Sequence, residues 1–163
     1  MDIQDSLAEL GASLARQLAW IAAADNKIAP VFAIDTAMLG LLAGLLPGAS
    51  NITTAIAVVC AIAALMLVAS VVFLAHAAFP RLDGPKESMV FFGGIAKQSE
   101  SGFIERAMRG PTPEYLSDLA RQIYRNSEIA TIKFSSVRTS MILMFATVPF
   151  WVVSVFLMYL ARP

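Results

Sequence analysis

The sequence predicts an all-α integral membrane protein: three transmembrane helices with a mainly helical cytoplasmic part, the last span continuous with a long cytoplasmic helix. Composition, charge spacing and one turn signal carry this prediction. Of 163 residues, 58% are apolar and 15% charged, against about 45–50% and ~25% in soluble domains. No Asp, Glu, Lys or Arg lies between Thr36 and Phe79 or between Thr139 and Leu160, and about 20 apolar helical residues cross a hydrocarbon core. The first of these stretches is too long for one span. It is interrupted by Pro47-Gly48-Ala49-Ser50-Asn51, a dense run of turn formers.

The elements follow in order. Residues 1–27 read as an amphipathic N-terminal helix, because Ile3, Leu7, Leu10, Leu14, Leu18 and Ile21 recur every three or four positions. Asp2, Asp5 and Glu9 stand at its start, where the helix dipole favours acids. That face is too acidic for a basic interfacial anchor, so the apolar stripe is expected to pack on the cytoplasmic loop or on a neighbouring subunit. Trp20 is placed for the membrane–water boundary. The segment lacks the compact apolar region of a signal peptide. Span 1 is assigned to 28–46, a periplasmic turn to 47–51 and span 2 to 52–75. A cytoplasmic segment at 76–137, span 3 at 138–160 and a periplasmic tail at 161–163 complete the chain.

Pro80, Gly84 and Pro85 open the cytoplasmic loop. Met89-Val90-Phe91-Phe92 reads as a strand or extended piece ending at Gly93-Gly94, and Ser101–Met108 as a short helix broken at Gly110-Pro111. Thr112 then suits an N-cap and Pro113 the first helical position, with Glu114 in the first turn. Leu116, Leu119, Ile123, Ala130 and Phe134 line one face, and neither Pro nor Gly interrupts the chain between Pro113 and Pro149. The helix is therefore predicted to run into span 3. Orientation follows from Lys and Arg near the spans. Nine of the 12 lie in 80–138, Arg16 and Lys27 in the N-terminal segment, none in the 47–51 turn and only Arg162 in the tail. The N-terminus and the 76–137 segment are thus predicted to be cytoplasmic.

Twelve basic residues balance 12 acidic ones, which argues against a nucleic-acid binder and a disordered chain. One cysteine, Cys60, and one histidine, His76, leave no disulfide framework, zinc cluster or Cys–His pair. No nucleophile–base pair or acid pair in a cleft stands out, and no metal site, so no enzyme is predicted.

Several residues carry two readings each. Asp35 lies about two turns into span 1, where a carboxylate is costly; it is either a pore-lining or gating acid or a packing acid in an inter-helix hydrogen bond. Asp25-Asn26-Lys27 is either a solvated junction or a polar cluster meeting the cytoplasmic loop. His76 is either interfacial or a proton relay, and Cys60 a small packing residue. Gly93-Gly94-Ile95-Ala96-Lys97-Gln98-Ser99 lacks the GxxxxGK[ST] phosphate-loop pattern; it is either an ordinary turn or a cradle for a single phosphate. Arg121, Gln122, Tyr124, Arg125, Asn126 and Lys133 suit either solvent or a small anionic ligand.

Three blocks carry a family resemblance. The first is Ala24-Asp25-Asn26-Lys27 with Ile34-Asp35-Thr36. The second is Phe91-Phe92-Gly93 with Ile95-Ala96-Lys97. The third and most specific is Tyr115-Leu116-Ser117-Asp118-Leu119 with Gln122-Ile123-Tyr124-Arg125-Asn126, Ile129-Ala130 and Lys133-Phe134. Together, over about residues 15–160, they resemble the transmembrane effector family of bacterial Pycsar anti-phage systems. The resemblance implies a bacterial inner-membrane protein and a partner pyrimidine cyclase. It implies a cyclic mononucleotide signal, cyclic UMP or cyclic CMP with cyclic UMP favoured, and no bound cofactor. It further implies an effector that impairs the membrane and stops growth before the phage completes its cycle. Three spans leave little room for a private pore, so a homo-oligomer is expected. The 76–137 segment then becomes the sensing segment. Candidate nucleotide-binding residues are Lys97, Arg121, Tyr124, Arg125, Asn126 and Lys133, with Tyr115 the alternative stacking ring. Asp25, Asn26, Lys27 and Asp35 are candidate gating or structural polar residues. Two rival readings are a membrane-anchored adaptor that does not permeabilise, and a small transporter or proton channel using Asp35 and His76.

Overall fold

The computed structural model describes residues 2–48, 51–85 and 87–161. Met1, Ala49 and Ser50 of the expected turn, Lys86, and Arg162 and Pro163 of the expected tail lie outside the described residues. Five helices follow one another: α1 (Ile3–Leu45), α2 (Thr54–Ala78), α3 (Phe92–Ile95), α4 (Glu100–Met108) and α5 (Pro113–Leu160). α1, α2 and α5 are long and apolar enough to cross a membrane. The chain divides into a polar unit, Met1–Ala23 with Pro80–Ile132, and an apolar unit, Ala24–Phe79 with Lys133–Pro163.

In the apolar unit the usual burial rule is inverted. Leu65, Val72, Phe145 and Phe156 face outward, 59–69% exposed, whereas Asp35, Ser70, Ser140, Thr147 and Ser154 are fully buried. Lipid is as apolar as leucine, so large apolar side chains gain nothing by turning inward. Small and polar side chains turn to the helix contacts instead, where they permit close approach and hydrogen bonding. The buried positions advance in steps of three, four or seven. They are Ala24, Val31, Asp35 and Leu42 on α1, then Ile56, Ala63, Leu67, Ser70, Leu74 and Ala77 on α2. On α5 the series runs Lys133, Val137, Ser140, Met144, Thr147, Ser154 and Met158, with Ser136 also buried beside Val137. This is the seam spacing of supercoiled helices. Leu42, Ile56, Ala63, Leu67 and Met158 form one apolar cluster, and Val31, Leu74 and Met144 a second. Trp151 Nε1 donates to the Met38 carbonyl at 3.1 Å, adding a direct link between α5 and α1.

α2 begins two residues later than the predicted span because Thr53 caps it: its hydroxyl accepts from Ile56 N at 3.3 Å. Pro80 follows its C-cap, Phe79, and cannot extend the ladder. α1 is one helix through the expected junction at 27–28, with Pro30 inside it. Proline fits helical φ but forfeits the bond to the carbonyl four residues back and crowds that carbonyl, and the sequence carries no other stop there.

The polar unit is assembled around a loop. Ser88 Oγ accepts from Val90 N at 3.0 Å and Phe91 N at 2.8 Å. This curls the chain into α3, and no strand occurs among the described residues, so the strand alternative for Met89–Phe92 is not realised. α4 is capped by Ser99, whose hydroxyl accepts from Gly102 N at 3.2 Å. It ends at Gly110 (φ 76°), a left-handed position that glycine adopts without strain. α5 starts as predicted, with Thr112 Oγ1 accepting from Tyr115 N at 3.2 Å.

Candidate functional site

Two polar ties join the three long helices of the apolar unit, and each draws one residue from every helix. In the first, Lys133 Nζ donates to Asp25 Oδ1 at 2.5 Å and to the Ala77 carbonyl at 2.9 Å. Ala77 is in the last turn of α2, so the ammonium sits at the negative end of that helix dipole. The Lys133 side chain is 8% exposed and that of Asp25 44%. Beside it, Lys27 Nζ lies 5.6 Å from the Phe134 ring centre, within range of a cation–π contact. Asn26 is exposed.

In the second tie, Ser70 Oγ lies 2.6 Å from Asp35 Oδ2, 2.8 Å from Ser140 Oγ and 3.1 Å from the Ser140 carbonyl. Ser70 can donate its one hydroxyl proton to Asp35 Oδ2 while accepting from Ser140 Oγ, since either hydroxyl of that pair can be the donor. Asp35 Oδ1 is buried with no hydrogen-bond partner among the described residues. Ser140 follows Lys133 by seven residues, as Ser70 precedes Ala77 by seven. The ties are therefore about 10 Å apart along the helices at 1.5 Å per residue. Further along α5, Thr147 and Ser154 return their hydroxyls to their own helix, at the Leu143 and Phe150 carbonyls.

The polar unit has its own organising centre. Asp118 Oδ2 accepts from Ser88 Oγ at 3.0 Å and from Met89 N at 2.7 Å. Gln98 Nε2 donates to the Ser88 carbonyl at 2.8 Å. Gly94 is packed so closely on Ser88 that a Cβ would stand 2.8 Å from its backbone nitrogen. Together these contacts hold the loop from 87 to 98 on α5. Arg106 on α4 donates to the Glu87 carbonyl at 3.2 Å and to Gln98 Oε1 at 2.9 Å.

Beside this centre lies a groove of about 430 Å³ lined by Glu87, Arg106, Glu114, Ser117, Asp118 and Arg121. Glu114 is held below its usual value of 4.5, chiefly by a hydrogen bond to its own backbone N–H and next by the Thr112 hydroxyl. A second pocket of about 350 Å³ contains Met89, Phe103, Arg106 and Tyr115.

The residues expected to bind a nucleotide are distributed between these places. Arg121 is exposed and lines the groove. Lys97 and Tyr124 are exposed. Arg125 donates to the Asp83 carbonyl at 3.0 Å and pairs with Glu128 at 3.0 Å. Asn126 is buried and accepts from Gln122 Nε2 at 3.1 Å. Lys133 belongs to the apolar unit and its first tie. Cys60 Sγ rests 3.8 Å from Met158 Sδ, and His76 is exposed. Among the described residues no group of three or more His, Cys, Asp and Glu could hold a metal ion.

Sequence reasoning gave no site role to Ser70, Ser140, Ser88, Glu87 or Arg106, and named Asp118 only within the third resemblance block. A signal existed for part of this set: Lys133, Ser140, Thr147 and Ser154 recur every seven residues, and polar residues at that spacing in an apolar helix mark a helix contact. No curated protein and no solved structure matches the chain. The family model of the Pycsar effector protein domain, PycTM, matches residues 9–160. With three candidate spans, the last of them continuous with a long helix, the chain belongs to the Pycsar effector family.

Proposed function

We propose that the protein is the anti-phage effector of a Pycsar system, acting at the bacterial inner membrane without catalysis. A partner cyclase makes a cyclic pyrimidine mononucleotide, cyclic UMP or cyclic CMP, when phage infects. The nucleotide binds the polar unit, which lies with the N-terminus on the cytoplasmic side. The spans rearrange, the membrane loses integrity and growth stops. A homo-oligomer supplies the lesion, because three helices enclose little space of their own. The match of the effector model to residues 9–160 carries this reading.

The polar ties support a gated spanning bundle. Lys133, Asp25, Asp35, Ser70 and Ser140 hold the three spans together by directional contacts, and such contacts break and re-form between discrete arrangements. The ligand must bind the active arrangement more tightly than the resting one, since equal affinity shifts nothing.

The test is dye release from vesicles of bacterial phosphatidylethanolamine and phosphatidylglycerol containing the full-length protein. Release on adding cyclic UMP or cyclic CMP, and not cyclic AMP, is the expected result. Tight vesicles with every nucleotide, despite verified insertion, would overturn the permeabilising role and leave a membrane-anchored adaptor.

A further inference from the structure

We infer that the groove between α4 and the start of α5 is the nucleotide site of the polar unit, with Arg106 and Arg121 taking the phosphate and Glu87 taking a sugar hydroxyl or a base N–H. The inference rests on the nucleotide-gated reading above and gives that reading a location. The groove volume of about 430 Å³ falls in the range of roughly 300–1,000 Å³ typical of small-molecule sites.

Its charges are the main argument. Two arginines and three carboxylates line the groove, yet among the described residues neither arginine forms an ion pair. Here Arg106 is fixed instead by two neutral acceptors, the Glu87 carbonyl and Gln98 Oε1. Only its Nη1 is engaged in those bonds. Arg121 has no partner among the described residues, and Ser117 precedes it by one turn on the same face of α5. Asp118 is engaged by Ser88 and Met89, whereas the Glu87 carboxylate has no partner among the described residues.

The backbone at Glu87 adds an independent observation. Its φ is 54°, a left-handed conformation uncommon for a residue with a side chain. The Asp118 bonds to Ser88 and Met89 and the Arg106 bond to its own carbonyl hold it there. Strain of this kind gathers where a side chain must be presented in one place.

A ligand that fits carries one anionic group for planar, fork-like guanidinium donors. It also carries hydroxyl or N–H donors for a carboxylate. A cyclic nucleoside monophosphate has both: a singly charged phosphodiester, a free 2′-hydroxyl, and N–H groups on the uracil or cytosine edge. Inorganic phosphate lacks the ribose and the base edge, and a free nucleoside lacks the anion.

The experiment is calorimetric titration of the full-length protein in lipid nanodiscs with cyclic UMP, cyclic CMP, inorganic phosphate and uridine. Arg121→Gln and Glu87→Gln are titrated alongside, with Arg16→Gln as the control. Arg121 and Glu87 are exposed and their side chains have no partner among the described residues, so both variants should unfold as the wild type does. The inference expects a cyclic pyrimidine nucleotide to bind the wild type and Arg16→Gln equally. It expects Arg121→Gln to weaken binding about tenfold or more and Glu87→Gln to weaken it less. Phosphate and uridine should each bind at least about tenfold more weakly than the nucleotide. Wild-type binding retained in both groove variants would overturn this location and leave the nucleotide-gated reading standing. No binding of either nucleotide by the wild type would overturn both.

Discussion

The two units of the molecule bury opposite kinds of side chain. In the apolar unit Asp35, Ser70, Ser140, Thr147 and Ser154 are fully buried while leucines, valines and phenylalanines face out. In the polar unit Phe91, Leu119 and Ala130 are buried while Lys97, Arg109 and Arg121 face out. One chain follows both patterns because its surroundings differ. In water, removing apolar surface is worth about 25 cal/mol per Å², and a thin apolar core suffices with a carboxylate holding the loop. In lipid that gain vanishes between helices, and close packing with hydrogen bonds decides which faces meet. Polar substitutions should therefore disturb helix association in one unit and loop order in the other.

The largest expected effect is at the first tie. Asp25→Ala leaves the buried Lys133 ammonium with only the Ala77 carbonyl. Stranding a buried charge costs about 3–5 kcal/mol, and the half-exposed partner lowers the expected loss to about 2–3 kcal/mol. Removing the stranded charge as well, in Asp25→Ala with Lys133→Met, should recover most of it. Unfolding of the bundle in mixed micelles measures both, and a double variant no better than the single would deny that the tie is a charge pair.

Asp118→Ala comes next. It removes the acceptor of Ser88 Oγ and Met89 N, at about 1.5–2 kcal/mol for bonds to a carboxylate. Hydrogen exchange should quicken at Met89, Val90 and Phe91 and stay unchanged at Ser140. Spread of the effect through α2 would break the contrast between the units.

Ser140→Ala removes a hydroxyl partner of Ser70. Inter-helix hydrogen bonds in bilayers average about 0.6 kcal/mol, so the loss of bundle stability should be of that order. A loss several times larger would make the second tie the dominant one.

The smallest effect is at Glu114, whose carboxyl is held below its usual 4.5 by its own backbone N–H and by Thr112. A lowered value means that the charged form is the one stabilised when folded. The contribution is complete above the usual carboxylate range and fades as pH falls through the lowered value. Glu114→Gln should flatten that acid-side change in the exchange of the first α5 amides; an unchanged acid-side profile would refute it.

Much of the architecture was legible in the sequence for the reason that most of its side chains face lipid. Charge-free runs located the long helices, and Thr112-Pro113 located the start of α5. The faces of those helices were not legible by hydropathy, since inner Leu67 and outer Leu65 are the same residue type. Only the polar exceptions reveal the seam. Asp35 was recognised as costly, but its partners Ser70 and Ser140 are 35 and 105 residues away in sequence, and spacing along one helix does not pair residues on three. The Met89–Phe92 stretch looked extended because its β-branched and aromatic content is what hydropathy sees. Its actual conformation is dictated by Ser88 and Asp118, a contact across 30 residues. Arg121 was singled out as a basic residue, whereas Arg106 and Glu87 entered the groove only through that loop.

We propose that this bundle is a membrane effector opened by a cyclic pyrimidine nucleotide. The most direct measurement is membrane potential and dye entry in bacteria expressing the full chain, with cyclic UMP, cyclic CMP or no nucleotide supplied by an inducible cyclase. The account predicts depolarisation with one of the two nucleotides and none without. It also predicts weaker killing by Asp25→Ala and Asp35→Ala at equal membrane abundance. Polarised, dye-free cells under every nucleotide, with the protein verified in the membrane, would contradict it.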